Sequence, residues 1–238
     1  GAVGPNATPP PQIAANGVVH NSNPKTGGAL APGNVAAIYG AGLASQTASP
    51  GVLPLVTQFN GSEVIVGGSN APFYFLSAGQ VNVQIPNELA PNRQYQVVAI
   101  VNNALTAPQT IDLSPAVPGV SAFADGTLIA QHGDFQLVTA ANPSRAGEVL
   151  VMYLAGMGAT QTAVATGTPS PATQVVIAPT VTVDGQSSPV LYAGLTPGGI
   201  GLYQINFQVP ASTKPGNVTV VVSQGGVTAN QTTLPVGP

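Results

Sequence analysis

The chain has two histidines, His20 and His132, which are the side chains best suited to acid–base chemistry near neutral pH. A serine nucleophile needs a nearby histidine and acid, but these histidines are far apart in sequence and no G-x-S-x-G turn occurs. Residues 22–25 have the S-x-x-K spacing, yet Pro24 would break the helix on which that motif sits. We therefore expect both histidines to be surface or loop residues, and the protein not to be an enzyme.

The seven acidic residues suggest no carboxylate pair and no metal motif. Asp125 and Asp184 each precede a glycine, as residues of tight turns do, whereas glycoside hydrolysis needs two carboxylates across a cleft. Asp125 and Asp134 bracket a polar loop with oxygen ligands for Ca²⁺, but calcium loops usually carry several closely spaced acids. The sequence therefore favours neither a metal nor any other cofactor.

Charge is unusually scarce, since Lys and Arg number four and all charged residues make up 5% of the chain, against about 25% in typical soluble proteins. Four scattered cations and a net charge of −3 exclude a nucleic-acid partner. No apolar run reaches the roughly 18–20 residues of a membrane span. Because little charge repels one copy from another, the composition favours self-association.

Short β-branched segments bounded by Gly, Pro or Asn occur throughout the chain, and helical periodicity is missing. Asn60-Gly61 and Asp184-Gly185 are predicted to form type I′ hairpin turns. Landmarks also recur in the same order: Gly33, Tyr39 and Gly42 precede Gly147, Tyr153 and Gly156 by 114 residues, whereas the two Asx-Gly pairs and Gln80/Gln204 are 124 apart. The increase predicts an extra Thr/Pro-rich loop around residues 161–178. We predict an all-β fold of two tandem immunoglobulin-like β-sandwich domains that arose by duplication, at 17–115 and 116–238, after a Pro-rich extended arm at 1–16.

The segments "QVNVQIP" from Gln80 and "QINFQVP" from Gln204 show the alternation of a half-buried strand. In the first segment the aliphatic residues should face the core and the amides Gln80, Asn82 and Gln84 the outer face. In the second segment, Gln204 and Asn206 take the outer positions. These uncharged outer faces are candidate contacts between subunits.

Two further segments carry candidate contacts. The run Pro9, Pro10 and Pro11 predicts polyproline II, and with Ile13 it belongs to an arm that a neighbouring subunit can accept. In "PFYFL", Phe73 and Phe75 are expected to be core residues while Tyr74 packs at an interface. The alternative is that Tyr74 forms a platform for sugar rings.

The motifs "LAPGNVAAIYGAGLAS", "NPSRAGEVLVMYLAGMG" and "YQINFQVP", in this order and spacing, resemble a family of two-lobed C-terminal domains that is common in secreted acidobacterial (Solibacter-type) proteins. The resemblance covers about residues 17–238 and implies an immunoglobulin-like, extracytoplasmic fold with no established activity or catalytic residues. The Pro-rich arm is expected to stand in place of the large upstream domains that such modules usually follow.

These observations predict an extracellular or cell-surface structural protein that assembles with copies of itself into a filament, tube or surface layer, joined by β-strand addition. The start "GAVGPNATPPP", which lacks Met, is expected of a secreted protein after signal-peptide removal. The alternative is an expression or proteolysis boundary, which gives the same kind of start. The alternative is a secreted adhesion or carbohydrate-binding module whose partner is a polysaccharide, bound through Tyr74 or the loop at 161–178.

Overall fold

The structure is a computed structural model that describes residues 9–238, and within them it contains β-strands and no α-helix. The strands of the first half are β1 (Gln12–His20), β2 (Val35–Ala41), β3 (Gln58–Phe59), β4 (Ser62–Val66), β5 (Ser69–Asn70), β6 (Phe73–Leu76), β7 (Gln80–Gln84), β8 (Arg93–Val101), β9 (Ala104–Leu105) and β10 (Gln109–Leu113). The strands of the second half are β11 (Gly119–Val120), β12 (Ala130–Gln131), β13 (Val149–Ala155), β14 (Thr173–Gln174), β15 (Thr180–Val183), β16 (Gln186–Ser188), β17 (Val190–Leu195), β18 (Tyr203–Gln208), β19 (Gly216–Gln224), β20 (Val227–Thr228) and β21 (Thr232–Val236).

The first half of the chain forms two antiparallel sheets that enclose one core, which we call the first sandwich. One sheet has the order β1-β2-β7-β6, and the other has the order β10-β8-β4-β3, with β5 paired to β4 and β9 to β8. Ile38, Phe73 and Ile85 are among the fully buried side chains between the sheets. The alternation of "QVNVQIP" places Val81 and Val83 in this core, as predicted.

The second half repeats this arrangement around a core of its own and forms the second sandwich. Its sheets have the orders β11-β13-β18-β17-β14, with β12 on β13, and β16-β15-β19-β20, with β21 on β19. Leu150, Tyr203 and Phe207 are buried in this core. The predicted all-β class and its two tandem sandwiches are confirmed.

The strand β1 begins inside the segment that was predicted to be an arm. Gln12 and Ile13 pair with Ala41 and Gly40 of β2, and Ile13 is buried in the first core. Residues 12–16 therefore belong to a strand of the first sandwich, and residues 1–8 of the predicted arm lie outside the described residues. The boundary predicted between 115 and 116 falls between the two cores, in the linker from β10 to β11.

Strand register corrects part of the alignment of the two copies. Val66 pairs with Val97 and Val183 with Val220 on equivalent strands, so the turn Asp184-Gly185 corresponds to Gly67-Gly68 and not to Asn60-Gly61. All of these turn residues have positive φ, as type I′ turns require. The two Asx-Gly pairs therefore are hairpin turns as predicted, but their spacing of 124 was not a mark of the duplication.

The register also locates the residues that only the second copy has. The offset between equivalent residues rises from 114 at Val35/Val149 to 127 at Ala48/Val175, which puts 13 extra residues in the loop after β13. It is 117 at Leu76/Ala193 and 124 at Gln80/Gln204, which puts seven extra residues in the loop from β17 to β18. The prediction of a single extra loop of ten residues around 161–178 was thus incomplete, because a second insertion follows β17. The offset also falls from 127 at Ala48/Val175 to 117 at Gly67/Asp184, so the first copy has ten residues there that the second copy lacks.

Candidate interface between the sandwiches and its open equivalent

His20, at the end of β1, is buried where the two sandwiches meet, a region that we call the junction. Its Nδ1 accepts hydrogen bonds from the backbone N–H groups of Ser22 (3.0 Å) and Asn23 (3.1 Å). Its Nε2–H donates to the Val117 carbonyl of the linker at 3.0 Å. Burial of the ring, which is 3% exposed, lowers the pKa of His20 to about 4, so the ring is neutral at pH 7. The expectation of a surface or loop residue was wrong for His20. The two N–H donors and the one carbonyl acceptor that satisfy its ring are all backbone groups, which the sequence does not reveal.

Two glycines of the second sandwich make room for this ring. A Cβ at Gly119 would lie 2.3 Å from His20 Cε1. A Cβ at Gly156 would lie 2.2 Å from the Val117 oxygen and 2.6 Å from His20 Nε2, and Gly156 has a φ of +76°. Gly156 is therefore required both by its backbone conformation and by the close approach of the first sandwich.

Both loops that are longer in the second copy contact the first sandwich. In the loop after β13, Gly167 N–H donates to Gln84 Oε1 at 2.7 Å, and the Gly167 carbonyl accepts from Leu55 N–H at 2.8 Å. In the β17–β18 loop, the Ile200 carbonyl accepts a hydrogen bond from the Tyr74 hydroxyl. Gln84 lies on the outer face, as predicted, but this contact with the second sandwich leaves the residue only 2% exposed.

Thr166 lies in the loop after β13 and connects this loop to the segment that follows β7. Its Oγ1 accepts from Asn87 N–H at 2.7 Å and donates to Glu88 Oε2 at 2.6 Å, while its own N–H donates to Glu88 Oε1 at 3.1 Å. Partial burial acts to raise the pKa of Glu88, but the hydrogen bonds from Thr166 outweigh it and lower the pKa. Thr166 thus satisfies a backbone donor and a carboxylate of the first sandwich.

Tyr74 lies at an interface, and that interface is within the chain. A bulge between Phe73 and Phe75 shifts the register of β6, so the two phenylalanines do not share a face. Phe73 is fully buried, whereas Phe75 is only half-buried, which corrects the expectation that both are core residues. Because the Tyr74 hydroxyl bonds to Ile200, the ring is not a free platform for sugars.

His132 occupies in the second sandwich the position that His20 occupies in the first. Val19 pairs with Ala37, and Gln131 pairs with Val151 on the equivalent strand, so the residues that follow, His20 and His132, are equivalent. His132 Nδ1 bonds to Glu148 Oε1 at 2.6 Å and Nε2 to the Asn142 carbonyl at 3.2 Å. Partial burial acts to lower the pKa of His132, but the Glu148 and Asn142 hydrogen bonds outweigh it and raise the pKa.

A polar cleft of about 750 Å³, which we call the His132 cleft, lies beside this residue. The equivalent space beside His20, which the linker partly fills, is a cleft of about 180 Å³ that Val117 and Ser114 help to line. The His132 cleft is lined by His132, Gly133, Asp134, Ala141, Asn142, Pro143, Arg145, Ala146, Glu148, Gly237 and Pro238.

Other residues of the first sandwich that lie at the junction also have counterparts in the second sandwich that are more exposed than they are. Val35 is half-buried while Val149 is 40% exposed, and Tyr74 is half-buried while its equivalent at the β17 bulge, Leu191, is 60% exposed. Gln208 is half-exposed where Gln84 is buried. The end of the second sandwich therefore presents uncovered counterparts of the residues that the junction covers.

The candidate contacts on the outer strand faces lie where the sequence predicted them. Gln80 and Asn82 are half-exposed and joined by a hydrogen bond of 2.8 Å, and Gln204 and Asn206 are joined in the same way at 3.0 Å. These amide pairs therefore remain accessible on both sandwiches.

The candidate contacts in the arm are divided between surface and interior. Pro9 and Pro10 are exposed, whereas Pro11 and Ile13 are buried against their own sandwich. Ile13 is thus a core residue in this structure, and Pro9 and Pro10 are the arm residues that remain available to a neighbour.

The acidic residues considered for calcium have structural partners instead. Asp125 Oδ1 accepts from Thr127 N–H at 2.9 Å, and Asp134 Oδ1 accepts from Gln136 N–H at 3.1 Å, as in Asx turns. Among residues 9–238, no three His, Cys, Asp or Glu side chains are grouped so that they could hold a metal ion. In the same part of the chain, no helix is long and apolar enough to cross a membrane.

No protein-family model and no curated protein matches the chain. Among solved structures, SGBP-B of the Bacteroides ovatus mixed-linkage glucan utilization locus, in complex with a mixed-linkage heptasaccharide, is 13% identical, covers 99% of this chain and 48% of that chain, and has a TM-score of 0.37. InvD of Yersinia pseudotuberculosis is 14% identical, covers 96% of this chain and 57% of that chain, and has a TM-score of 0.25. A three-Ig structure of titin is 9% identical, covers 95% of this chain and 65% of that chain, and has a TM-score of 0.25. This chain thus spans less than two thirds of each of these proteins, and at such low similarity none of them carries an argument about its function.

Proposed function

We propose that this protein is an extracellular structural subunit whose copies associate end to end into a filament, tube or layer. The observation that carries the proposal is the uncovered end of the second sandwich, where the counterparts of the junction residues are exposed. A contact between this end and a different end of another copy is heterologous, and such contacts continue into open polymers unless a rotation closes them.

The chemistry of this end suits association between copies of a weakly charged protein. Val149 and Leu191 offer apolar area, and Gln208 offers an uncharged hydrogen-bonding group. With a net charge of −3 on 238 residues, little electrostatic repulsion opposes the contact. Extracellular function is supported by the same composition, which covers the surface with uncharged polar residues.

The mode of association proposed here differs from the donation of residues 1–16 as a strand. Gln12 and Ile13 already pair with β2 of their own chain, so removing residues 12–16 would take away part of a core strand. An extended segment before β1 therefore still makes the proposed contact. Within the described residues, that segment consists of residues 9–11.

Purified 238-residue chain, examined by negative-stain electron microscopy and by light scattering over increasing concentration, tests the proposal. We expect mass to grow with concentration and elongated particles to appear. A single mass equal to one chain at every concentration would contradict self-assembly. Cell fractionation of the producing organism should place the protein outside the cytoplasm.

A second candidate function, polysaccharide binding, is favoured by one observation at Phe135. This ring is 77% exposed, and the residue has a φ of +68°, a conformation that favours Gly or Asn over bulky side chains. Its N–H donates to the His132 carbonyl at 3.0 Å, so the turn that carries the ring also forms one wall of the His132 cleft. A glycan array comparing wild type with Phe135→Ala tests this candidate: glycans that the wild type retains and the variant loses support it, and no retained glycan contradicts it.

A further inference from the structure

The linker between the two sandwiches has a counterpart in the arm at the start of the described chain. Gly119 and Val120 of β11 pair with Ala155 and Leu154, and Gln12 and Ile13 of β1 pair with the equivalent residues Ala41 and Gly40. Counting back from these strands, residues 116–118 of the linker correspond to residues 9–11 of the arm. Pro10 therefore stands where Val117 stands, and Val117 is the residue whose carbonyl accepts the His20 hydrogen bond.

The His132 cleft matches the other side of the same contact. Leu113 bridges to Leu30 in parallel, and Val236 bridges to Ser144 in the same way, so Gly237 and Pro238 correspond to Ser114 and Pro115. Both Gly237 and Pro238 line the His132 cleft. At the junction, the next three residues of the chain, 116–118, lie against the first sandwich, and none of residues 9–238 occupies the matching place at the His132 cleft.

We propose that residues 9–11 of a second copy bind in the His132 cleft, in the position that residues 116–118 take against the first sandwich. This inference rests on the proposed end-to-end assembly and names the segment and the site through which it occurs. In such an assembly, the second sandwich of one copy is followed by the first sandwich of the next copy. This contact repeats the one in which the first sandwich of a chain is followed by its own second sandwich.

Hydrogen-bond chemistry at the cleft fits a proline segment. A proline residue has no N–H, so the segment offers only carbonyl acceptors, which the cleft must meet with donors. Arg145 lines the cleft and supplies donors, and within residues 9–238 it forms no ion pair. Proline residues also lose little conformational freedom on binding, because the ring already restricts φ in the free segment.

The first sandwich retains one junction glycine at the end that carries residues 9–11. Gly42 corresponds to Gly156 and has a φ of +65°, close to the +76° of Gly156. Both insertions of the second sandwich are missing there, so contacts like those of Gly167 and Ile200 are not repeated. The contact between copies is therefore smaller than the junction, and assembly is reversible on dilution.

Four variants of the 238-residue chain test the inference by negative-stain microscopy and light scattering. Deletion of residues 1–11 removes the proposed segment but leaves β1 complete, and deletion of residues 1–8 is its control. Ala146→Arg fills the cleft from an exposed position, and Ala124→Arg, on an exposed loop away from the cleft, adds the same charge as a control. We expect both controls to polymerise and the other two variants to remain single chains, with circular dichroism and thermal unfolding like those of wild type.

Mixing the two inactive variants gives a second readout that a folding defect cannot imitate. Ala146→Arg retains residues 9–11, and the 1–11 deletion retains an open cleft, so an equimolar mixture should form dimers of twice the chain mass and nothing larger. Polymers from either inactive variant alone, or no dimer in the mixture, would overturn the inference while leaving end-to-end assembly standing. If the wild type itself stays a single chain at every concentration, the proposed function fails as well.

Discussion

Two histidines at equivalent positions, His20 and His132, have opposite electrostatic environments. Burial against backbone groups lowers the pKa of His20 to about 4, whereas Glu148 and the Asn142 carbonyl raise the pKa of His132 above its ordinary value of 6.5. The duplicated position is therefore a neutral structural group in one copy and a partly exposed ionisable group in the other. Only the second is partly exposed and lines the larger cleft.

Because the chain has two histidines, their ring protons can be followed separately by NMR as pH is varied. We predict one titration with a midpoint near 4 and one with a midpoint above 6.5. The variant His20→Gln should remove the first signal and so assign both. Two midpoints near 6.5 would mean that His20 is not buried at the junction.

The low pKa of His20 has a consequence for stability. Since the folded-state pKa of about 4 is below the unfolded value of 6.5, the unfolded chain binds the proton more readily. The contribution of neutral His20 is complete above pH 6.5 and is lost as pH falls toward 4, by at most about 3 kcal/mol. Denaturant unfolding of wild type and His20→Gln should show a difference in stability that changes with pH in this window. A constant difference between pH 7 and pH 4 would contradict this assignment.

Gly156 tests the close approach of the sandwiches at a single position. Gly156→Ala places a methyl group 2.2 Å from the Val117 oxygen, and we predict a loss of about 3 kcal/mol or more in the free energy of unfolding. Gly185→Ala is the matched control, because Gly185 also has a positive φ but nothing lies within 4 Å of its Cβ position. The control should lose only the backbone term, about 1–2 kcal/mol. Equal losses in the two variants would contradict close packing at Gly156.

At the scale of elements, two loops that are longer in the second copy join two sandwiches built on equivalent strands. The polar–apolar alternation predicted β7 and β18 and their core residues correctly, because side-chain burial has the same period as the strand. The turn pairs misled the alignment, because Asx-Gly marks a hairpin but not which hairpin it is. The junction was not predictable, since it is built largely from backbone carbonyls and amides of residues such as Val117, Gly167 and Ile200, which carry no sequence signal.

Removing the hydroxyl of Thr166 tests how much the loop after β13, the longer of the two insertions, contributes to the free energy of unfolding. Thr166→Val keeps the shape of the side chain but removes the acceptor for Asn87 N–H and a donor to Glu88, so we predict a loss of about 1–2 kcal/mol. Hydrogen exchange at the Asn87 amide should become faster.

Thr168→Val is the matched control, because the Thr168 hydroxyl bonds only to the Ala165 carbonyl of its own loop. This variant should leave exchange at Asn87 unchanged. Equal exchange rates in wild type and Thr166→Val would show that the loop does not hold the first sandwich in solution.

At the scale of the whole molecule, the chain has two equivalent sites. One is the junction at His20, which is covered, and the other is the His132 cleft, which is open. The junction covers His20 with the linker and Gly156, whereas His132 and its cleft remain uncovered at the end of the second sandwich. The equivalence of the histidines was present in the sequence, where His132 follows His20 by nearly the repeat distance, but only strand register identifies it. The proposed end-to-end association extends the internal repeat beyond a single chain.

The absence of cysteine makes a direct test of this arrangement possible, because an introduced cysteine is then the only thiol of the molecule. Pro10→Cys is mixed with Ala146→Cys, or with Ala124→Cys as the control, and treated with a short thiol-specific bifunctional cross-linker. We predict a covalent heterodimer, verified by mass spectrometry of the linked peptides, in much higher yield from the Ala146→Cys mixture. Equal yields from both mixtures would contradict binding of residues 9–11 in the His132 cleft.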